Sequence, residues 1–147
     1  MKLLTLYKWI AGTMTNFANP FRENEILFNQ AKGFWSRLEN VSFPMVLIFI
    51  SLGILFAIYY YKPYNEQPGR HYTPRHWLIW LFITAIITFL VTLGVEYFAV
   101  APKLSGALTV EIKIAIGNAL YASLIYFITS VVWCNVLPTN AYRLFKF

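Results

Sequence analysis

Polar side chains recur at every fourth position along one apolar stretch of the sequence, and the last of them is a carboxylate. These residues are Thr84, Thr88, Thr92 and Glu96. Because a helix turns by about 100° per residue, a step of four residues drifts by only about 40°, so the side chains form one slanted stripe. Burying the carboxylate in hydrocarbon costs roughly 3 kcal/mol. We therefore expect Glu96 to be solvated by water in a pore, by a partner group or by lipid headgroups.

Three interpretations of this polar stripe are open. Hydroxyl groups offer water and ions both donors and acceptors, so several copies of the chain can place the stripe around a shared pore, with Glu96 as a charge at its mouth. Alternatively, each threonine bonds the carbonyl four residues earlier and packs against its neighbours, while Glu96 lies at the membrane interface beside Tyr97. In the third interpretation, Glu96 is the proton-binding group of a small transporter.

The last apolar stretch is a second candidate for a pore lining, because it is the most polar of the three. Its candidate lining residues are Asn118, Ser123 and Ser130. Small residues on the same stretch, such as Ala115 and Ala122, equally favour close packing between helices. In either case the amide of Asn118 needs a hydrogen-bonding partner on another helix or in water.

Basic residues predict contact with an anionic surface or ligand. The chain has 12 Lys and Arg against 6 Asp and Glu, and this surplus is spread too thinly to indicate recognition of a nucleic-acid duplex. The first candidates for binding an anionic ligand, such as a nucleotide or oligonucleotide, are Arg22, Lys32 and Arg37. The first loop is also basic and would meet headgroups or hold an anion; its residues are Lys62, Arg70, His71, Arg75 and His76.

Enzyme chemistry is not supported by the residue types. A serine nucleophile needs a base such as histidine. Both histidines, His71 and His76, lie in one loop outside the apolar stretches, so the serines in those stretches have no histidine base nearby. The single cysteine, Cys134, excludes an intrachain disulfide and a cysteine metal cage. We expect no catalytic residue, no metal and no cofactor.

The elements that must position these residues follow from composition. Of 147 residues, 59% are hydrophobic and 12% are charged, whereas soluble domains are about one quarter charged. Residues 43–61, 77–98 and 114–137 form apolar stretches that are each long enough to cross roughly 30 Å of hydrocarbon as a helix. We predict an all-α membrane protein with three transmembrane helices in residues 43–137. Gly53 and Ala57 predict close approach of another helix to the first span.

Two amphipathic segments precede the first span. Residues 2–18 predict one helix that Asn19 and Pro20 break, and residues 23–39 predict a second helix. The apolar face of the first consists of Leu3, Leu6, Tyr7, Ile10, Met14 and Phe17, and that of the second of Leu27, Ala31, Phe34 and Leu38.

Capping and breaking residues predict the boundaries of the spans. Ser42 is expected to cap the first span and Pro63 to stop it, while the third helix is expected to begin within residues 104–111. Residues 1–42 would then lie on the bilayer or form a lid over an assembly. Residues 138–147 would form an interfacial tail.

Three spans place the two termini on opposite sides of the membrane, and the positive charges favour a cytoplasmic N-terminus. The N-terminal region and the second loop hold Lys2, Lys8, Arg22, Lys32, Arg37, Lys103 and Lys113. The first loop and the tail hold fewer, namely Lys62, Arg70, Arg75, Arg143 and Lys146.

In size, span number and amphipathic N-terminal region, the chain resembles the small multi-pass effectors of bacterial antiphage defence. The resemblance implies a homo-oligomeric ion channel, a tetramer or larger, in a bacterial inner membrane. It also implies gating by a nucleotide or oligonucleotide made by a partner enzyme. The alternative is a structural or assembly subunit of a larger membrane complex, in which small residues and aromatic side chains bind partner proteins.

Overall fold

The computed structural model describes residues 3–67, 74–100, 104–138 and 143–146, and the regular structure in these ranges is helical, without a strand. The long helices are α3 (Glu25–Tyr59), α4 (Pro74–Ala99) and α5 (Ala107–Val136), and they follow the short helices α1 (Lys8–Ala11) and α2 (Met14–Ala18). By length and composition, three helices can cross a membrane. The predicted all-α class with three candidate spans is therefore confirmed.

Helix α3 continues without a break through the predicted start of the first span. Its 35 residues extend about 52 Å at 1.5 Å per residue, well beyond the roughly 30 Å of a hydrocarbon core. Ser42 lies inside this helix, where its Oγ donates a hydrogen bond to the Glu39 carbonyl oxygen at 2.6 Å, and Pro44 follows it. The prediction that Ser42 caps a new helix is wrong, because the second amphipathic segment and the first span are one helix. Proline is more frequent in spanning helices than in soluble ones.

The first amphipathic segment folds as several short helices instead of one. A 3₁₀ helix, Leu3–Tyr7, leads into α1, which ends at Gly12 with a backbone φ of 80°. Glycine adopts this left-handed conformation without the steric cost of a Cβ atom. Helix α2 begins after Thr13, whose Oγ1 accepts a hydrogen bond from the Asn16 backbone N–H at 3.4 Å. The prediction of a single helix over residues 2–18 is thus wrong, because Gly12 interrupts it.

The change from one helix to several alters which side chains are buried. Leu4 and Tyr7 are buried, whereas Leu6 and Met14, which were both predicted on the apolar face, are exposed. Residues three apart eclipse each other in a 3₁₀ helix, which places Leu4 and Tyr7 on the same side. The predicted face is confirmed at Tyr7 and is wrong at Leu6 and Met14.

The chain divides into two compact units. The first unit comprises Met1–Leu47 and Phe89–Asn118, and the second unit comprises Ile48–Thr88 and Ala119–Phe147. In the first unit, the predicted apolar face of the second amphipathic segment is confirmed at three of its positions. Ala31, Phe34 and Leu38 are fully buried, while Leu27 is exposed.

Small residues and aromatic rings pack the second unit. A Cβ atom added to Gly53 would lie 2.8 Å from the Ala122 carbonyl oxygen and 2.8 Å from Ile125 Cγ2, so α3 and α5 are in close contact there. Ala57, one turn further along α3, is fully buried. The predicted close approach at Gly53 and Ala57 is therefore confirmed. The buried core of this unit consists of Ala57, Tyr60, Tyr61, Trp77, Tyr126 and Cys134.

The ends of the long helices agree with the predicted breakers to within a few residues. Helix α3 continues into a π-helical turn, Tyr60–Tyr64, so Pro63 lies inside the helical end and not after it. Gly106, with a φ of 81°, directly precedes α5, which confirms that the third helix begins within residues 104–111. Helix α5 ends at Val136, before Pro138.

Candidate functional site

The polar stripe on α4 lies inside the protein. Thr84, Thr88, Thr92 and Glu96 each have 0% of their surface exposed. The opposite side of the same helix is large and apolar, with exposed side chains at Phe82, Ile86, Leu90 and Phe98. The stripe therefore faces other parts of the same chain, and the apolar side of α4 is the one available to lipid or to another protein.

In the first unit, Thr92 belongs to a chain of hydrogen bonds that joins three parts of the sequence. Asn118 Nδ2 on α5 donates to Thr92 Oγ1 at 3.0 Å, and the Tyr7 hydroxyl donates to Asn118 Oδ1. All three side chains are fully buried. The partners that the buried Asn118 amide needs are thus supplied by α4 and by the N-terminal segment.

The first unit contains a second buried carboxylate, Glu111. Glu96 is four residues beyond Thr92 on α4, and Glu111 is seven residues before Asn118 on α5. Because the two helices run back along each other, rises of about 6 Å and about 10 Å from the Thr92–Asn118 contact place both carboxylates on the same side of that contact, about 4 Å apart in height. Both glutamates have 0% of their surface exposed.

Sequence reasoning did not identify Glu111 as a site residue. It lies within residues 104–111, which were expected only to contain the start of the third helix. The available signal was its spacing of seven residues from Asn118, since two helical turns put both side chains on the same face of α5.

In the second unit, most of the candidate hydroxyl groups bond their own helix. Thr84 Oγ1 donates to the Trp80 carbonyl oxygen at 2.8 Å, and Ser123 Oγ donates to the Ala119 carbonyl oxygen at 2.8 Å. The packing interpretation of the stripe predicts such bonds to the carbonyl four residues earlier, and Thr84 makes this bond. The buried Thr88 Oγ1, in contrast, has no hydrogen-bond partner among the described residues.

Ser130 links α5 to α4 within the second unit. Its Oγ donates to the Tyr126 carbonyl oxygen at 2.8 Å and accepts a hydrogen bond from Trp77 Nε1 at 3.0 Å. The rings of Trp77 and Tyr126 also pack together, with centroids 5.4 Å apart. Ser130 is fully buried in this contact, so its hydroxyl holds the two helices together.

The proposed anion-binding residues lie on the surface of the first unit. Arg22, Lys32 and Arg37 are all exposed. Lys32 Nζ lies 4.3 Å from the centroid of the Phe28 ring, which is a cation–π contact on α3. Lys32 and Arg37 are five residues apart, hence about 140° apart around the helix, so α3 by itself does not direct them to one ligand.

The basic first loop is only partly within the described ranges. Lys62 and Arg75 are exposed and His76 is half-buried, while Arg70 and His71 lie outside the described residues. Lys2 and Lys103, which contribute to the charge asymmetry, also lie outside them. In the part of the chain that the structure describes, no group of three or more His, Cys, Asp or Glu side chains is arranged to hold a metal ion.

Comparison with known proteins found no matching protein-family model, no similar curated protein and no similar solved structure.

Proposed function

We propose that this protein passes protons or small cations across a membrane, with Glu96 as the ion-binding group. The observation that carries the proposal is the complete burial of Glu96 in a helix that is long and apolar enough to span a membrane. Ionisable groups inside membrane segments are costly, and where they occur they commonly belong to ion or proton pathways. A carboxylate at this position can coordinate a cation or hold and release a proton.

The hydroxyl groups along α4 support the same proposal to different degrees. Thr88 offers a buried hydroxyl without a partner among the described residues, so it can bond a water molecule or an ion. Thr92 is bonded by Asn118, which fixes its direction one turn from Glu96. Thr84 already donates to the Trp80 carbonyl oxygen and is left as an acceptor only.

The direction of the stripe favours an ion path beside α4 within each protomer. In a homo-oligomeric channel, the stripes of several copies would line a shared lumen. This arrangement requires each α4 to rotate about its own axis by about half a turn, because the stripe lies opposite the exposed apolar side. Liposomes prepared at a lipid-to-protein ratio high enough to leave at most one chain in each distinguish the two arrangements. Flux from single chains supports the internal path, and flux from oligomers alone supports the shared lumen.

The proposal is tested with the purified protein in liposomes that contain a pH-sensitive or cation-sensitive dye. Imposed gradients of protons, Na⁺ and K⁺ are expected to dissipate faster with the protein than without it. Glu96→Gln keeps the side-chain shape but removes the charge, and it is expected to lower the flux at least tenfold. The matched control is Glu66→Gln, because Glu66 is exposed in the first loop. Full flux in Glu96→Gln, or no flux under any gradient, contradicts the proposal.

A structural or assembly subunit is the second candidate function. It is favoured by the second unit, where Ser130, Thr84 and Gly53 all serve contacts between or within helices. Purification from native membranes in mild detergent is expected to give a heteromer of fixed stoichiometry in this case. The same heteromer should form with Glu96→Gln, which separates this function from ion flux.

Gating by an anionic ligand, as in the antiphage effectors, extends the ion-flux proposal. It is supported by the exposure of Arg22, Lys32 and Arg37 to solvent. If a nucleotide or oligonucleotide opens the protein, its effect on flux should weaken in salt and in a variant with glutamine at the three positions. A ligand response that survives both changes contradicts these binding residues.

A further inference from the structure

The N-terminal segment, residues 3–11, reaches the buried contact between α4 and α5 with one aromatic side chain. Tyr7 is fully buried, and its hydroxyl donates to Asn118 Oδ1, 111 residues away in the sequence. Asn118 in turn donates to Thr92, one turn from Glu96. A side chain from a short terminal helix thus completes the polar contact that holds α4 to α5.

The N-terminal segment packs against Gly117 of α5. A Cβ atom at Gly117 would lie 3.2 Å from Tyr7 Cδ1 and 3.6 Å from Ile10 Cγ2. Two side chains, one turn apart on the N-terminal segment, therefore rest on the same glycine. A side chain at Gly117 would press on the Tyr7 ring, so glycine at this position leaves room for the ring beside α5.

The chain on the other side of Gly12 is attached separately. Gly12 has a φ of 80°, and after it the ring of Phe17 packs against Phe34 and Trp35 on α3 with centroids 5.1 Å and 6.2 Å away. Residues 3–11 are thus joined to α2 through a glycine, which can change its backbone angles at low steric cost. Gly12 has the properties of a hinge.

An open cleft borders the N-terminal segment. It has a volume of about 330 Å³, and its lining includes Leu4, Lys8, Gly12, Trp35 and Glu39. The outer side of the segment is also accessible, since Trp9 is 61% exposed. The cleft thus reaches residues before and after Tyr7 in the sequence, while the Tyr7 side chain itself is fully buried and bonded to Asn118.

From these contacts we propose that residues 3–11 form a latch, with Tyr7 as its locking side chain and Gly12 as its hinge. With the latch closed, the Tyr7 hydroxyl is hydrogen-bonded to Asn118 and the Tyr7 side chain keeps water from Thr92. With the latch open, the Asn118 amide and the Thr92 hydroxyl are hydrated, and water gains a route toward Glu96. The effect on ion flux rests on the function proposed above, whereas the effect on water access does not.

Water access is tested with Thr92→Cys as a reporter for a membrane-impermeant maleimide, in the full chain in nanodiscs. Cys134 is fully buried, and the wild-type chain measures its background labelling. Adding Tyr7→Phe, which removes only the hydroxyl, is expected to raise the labelling rate of the reporter at least tenfold. The matched control is Tyr59→Phe, since Tyr59 is 43% exposed. Equal labelling rates with and without Tyr7→Phe overturn the latch.

A cross-link provides the reverse test. In the pair Ile10→Cys and Gly117→Cys, the Cβ atoms would lie roughly 5 Å apart or less, close to the distance that a disulfide requires. The reduced form of the same pair is the reference for flux, because the new Cβ atom at position 117 presses on the Tyr7 ring. Oxidation is expected to form the disulfide and to lower ion flux at least tenfold. Reduction of the disulfide is expected to restore the flux. Failure of the bond to form, or full flux in the oxidised protein, overturns the latch. If no chain shows flux but Tyr7→Phe still raises labelling, the latch stands and the ion-flux proposal fails.

Discussion

Replacing Gly53 by alanine tests the contact between α3 and α5 in the second unit. The added Cβ atom would lie 2.8 Å from the Ala122 carbonyl oxygen and from Ile125 Cγ2. An unstrained contact needs about 3.5 Å, so the two helices must separate by roughly 0.7 Å. The Ala122 oxygen belongs to the backbone, and no side-chain rotation can relieve this overlap. Overpacking of this kind costs about 1–3 kcal/mol.

Gly33→Ala is the matched control, because it makes the same change on the same helix and the added Cβ atom meets no atom within 4 Å. Both substitutions gain up to about 1 kcal/mol from the better helix propensity of alanine. We therefore expect Gly33→Ala to be as stable as wild type or more stable. Gly53→Ala should be less stable than Gly33→Ala by the steric cost of about 1–3 kcal/mol.

The assay is reversible unfolding in detergent, followed by tryptophan fluorescence. Equal free energies of unfolding for the two alanine variants refute the reasoning, because they would mean that α5 does not touch α3 at Gly53.

Two further predictions concern single hydrogen bonds. Thr92→Val removes the acceptor of the buried Asn118 amide and should lower the free energy of unfolding by about 1–3 kcal/mol, whereas Thr88→Val removes a hydroxyl that no described residue bonds and should be neutral or stabilising. A larger loss for Thr88→Val than for Thr92→Val in the same unfolding assay contradicts these assignments. For the Trp77–Ser130 bond of 3.0 Å, a double-mutant cycle with Trp77→Phe and Ser130→Ala should give a coupling energy of about 0.6 kcal/mol, as is typical of hydrogen bonds between spanning helices. A coupling of zero would mean that the two side chains act independently.

The spans could be predicted from the sequence because hydrocarbon imposes a minimum apolar length on any helix that crosses it. Helix α4, Pro74–Ala99, encloses the predicted residues 77–98, and α5 begins where Gly106 allows the chain to turn. The close approach at Gly53 was also predictable, since a missing side chain is a local property that is visible in the sequence.

The continuity of α3 could not be predicted in this way. A serine two residues before a proline is typical of a helix start, yet both residues also occur inside spanning helices. Local preferences at Ser42 and Pro44 therefore do not decide between a cap and an uninterrupted helix. The apolar run begins in the middle of α3, so hydropathy predicts where this helix would enter a membrane and does not predict where the helix begins.

The polar contact in the first unit was beyond sequence reasoning for a different reason. The bond between Tyr7 and Asn118 joins residues 111 positions apart, and helical periodicity reports only on neighbours within a few turns. Asn118 was recognised as needing a partner, but nothing local identifies Tyr7 as that partner. The same limit applies to Glu111, whose height relative to Glu96 depends on how α4 and α5 align.

If the hydrocarbon core begins at residue 43, as the apolar run predicts, α3 holds its basic side chains at different heights above it. Measured along the helix axis from residue 43, Arg37 stands about 9 Å out and Lys32 about 16 Å out. The Debye length is about 8 Å at physiological ionic strength, so the headgroup charge reaches Arg37 but is largely screened at Lys32. In dilute salt, where the Debye length grows to about 30 Å, anionic lipids would attract both. Ionic strength thereby decides whether a dissolved anion must compete with the bilayer for Lys32.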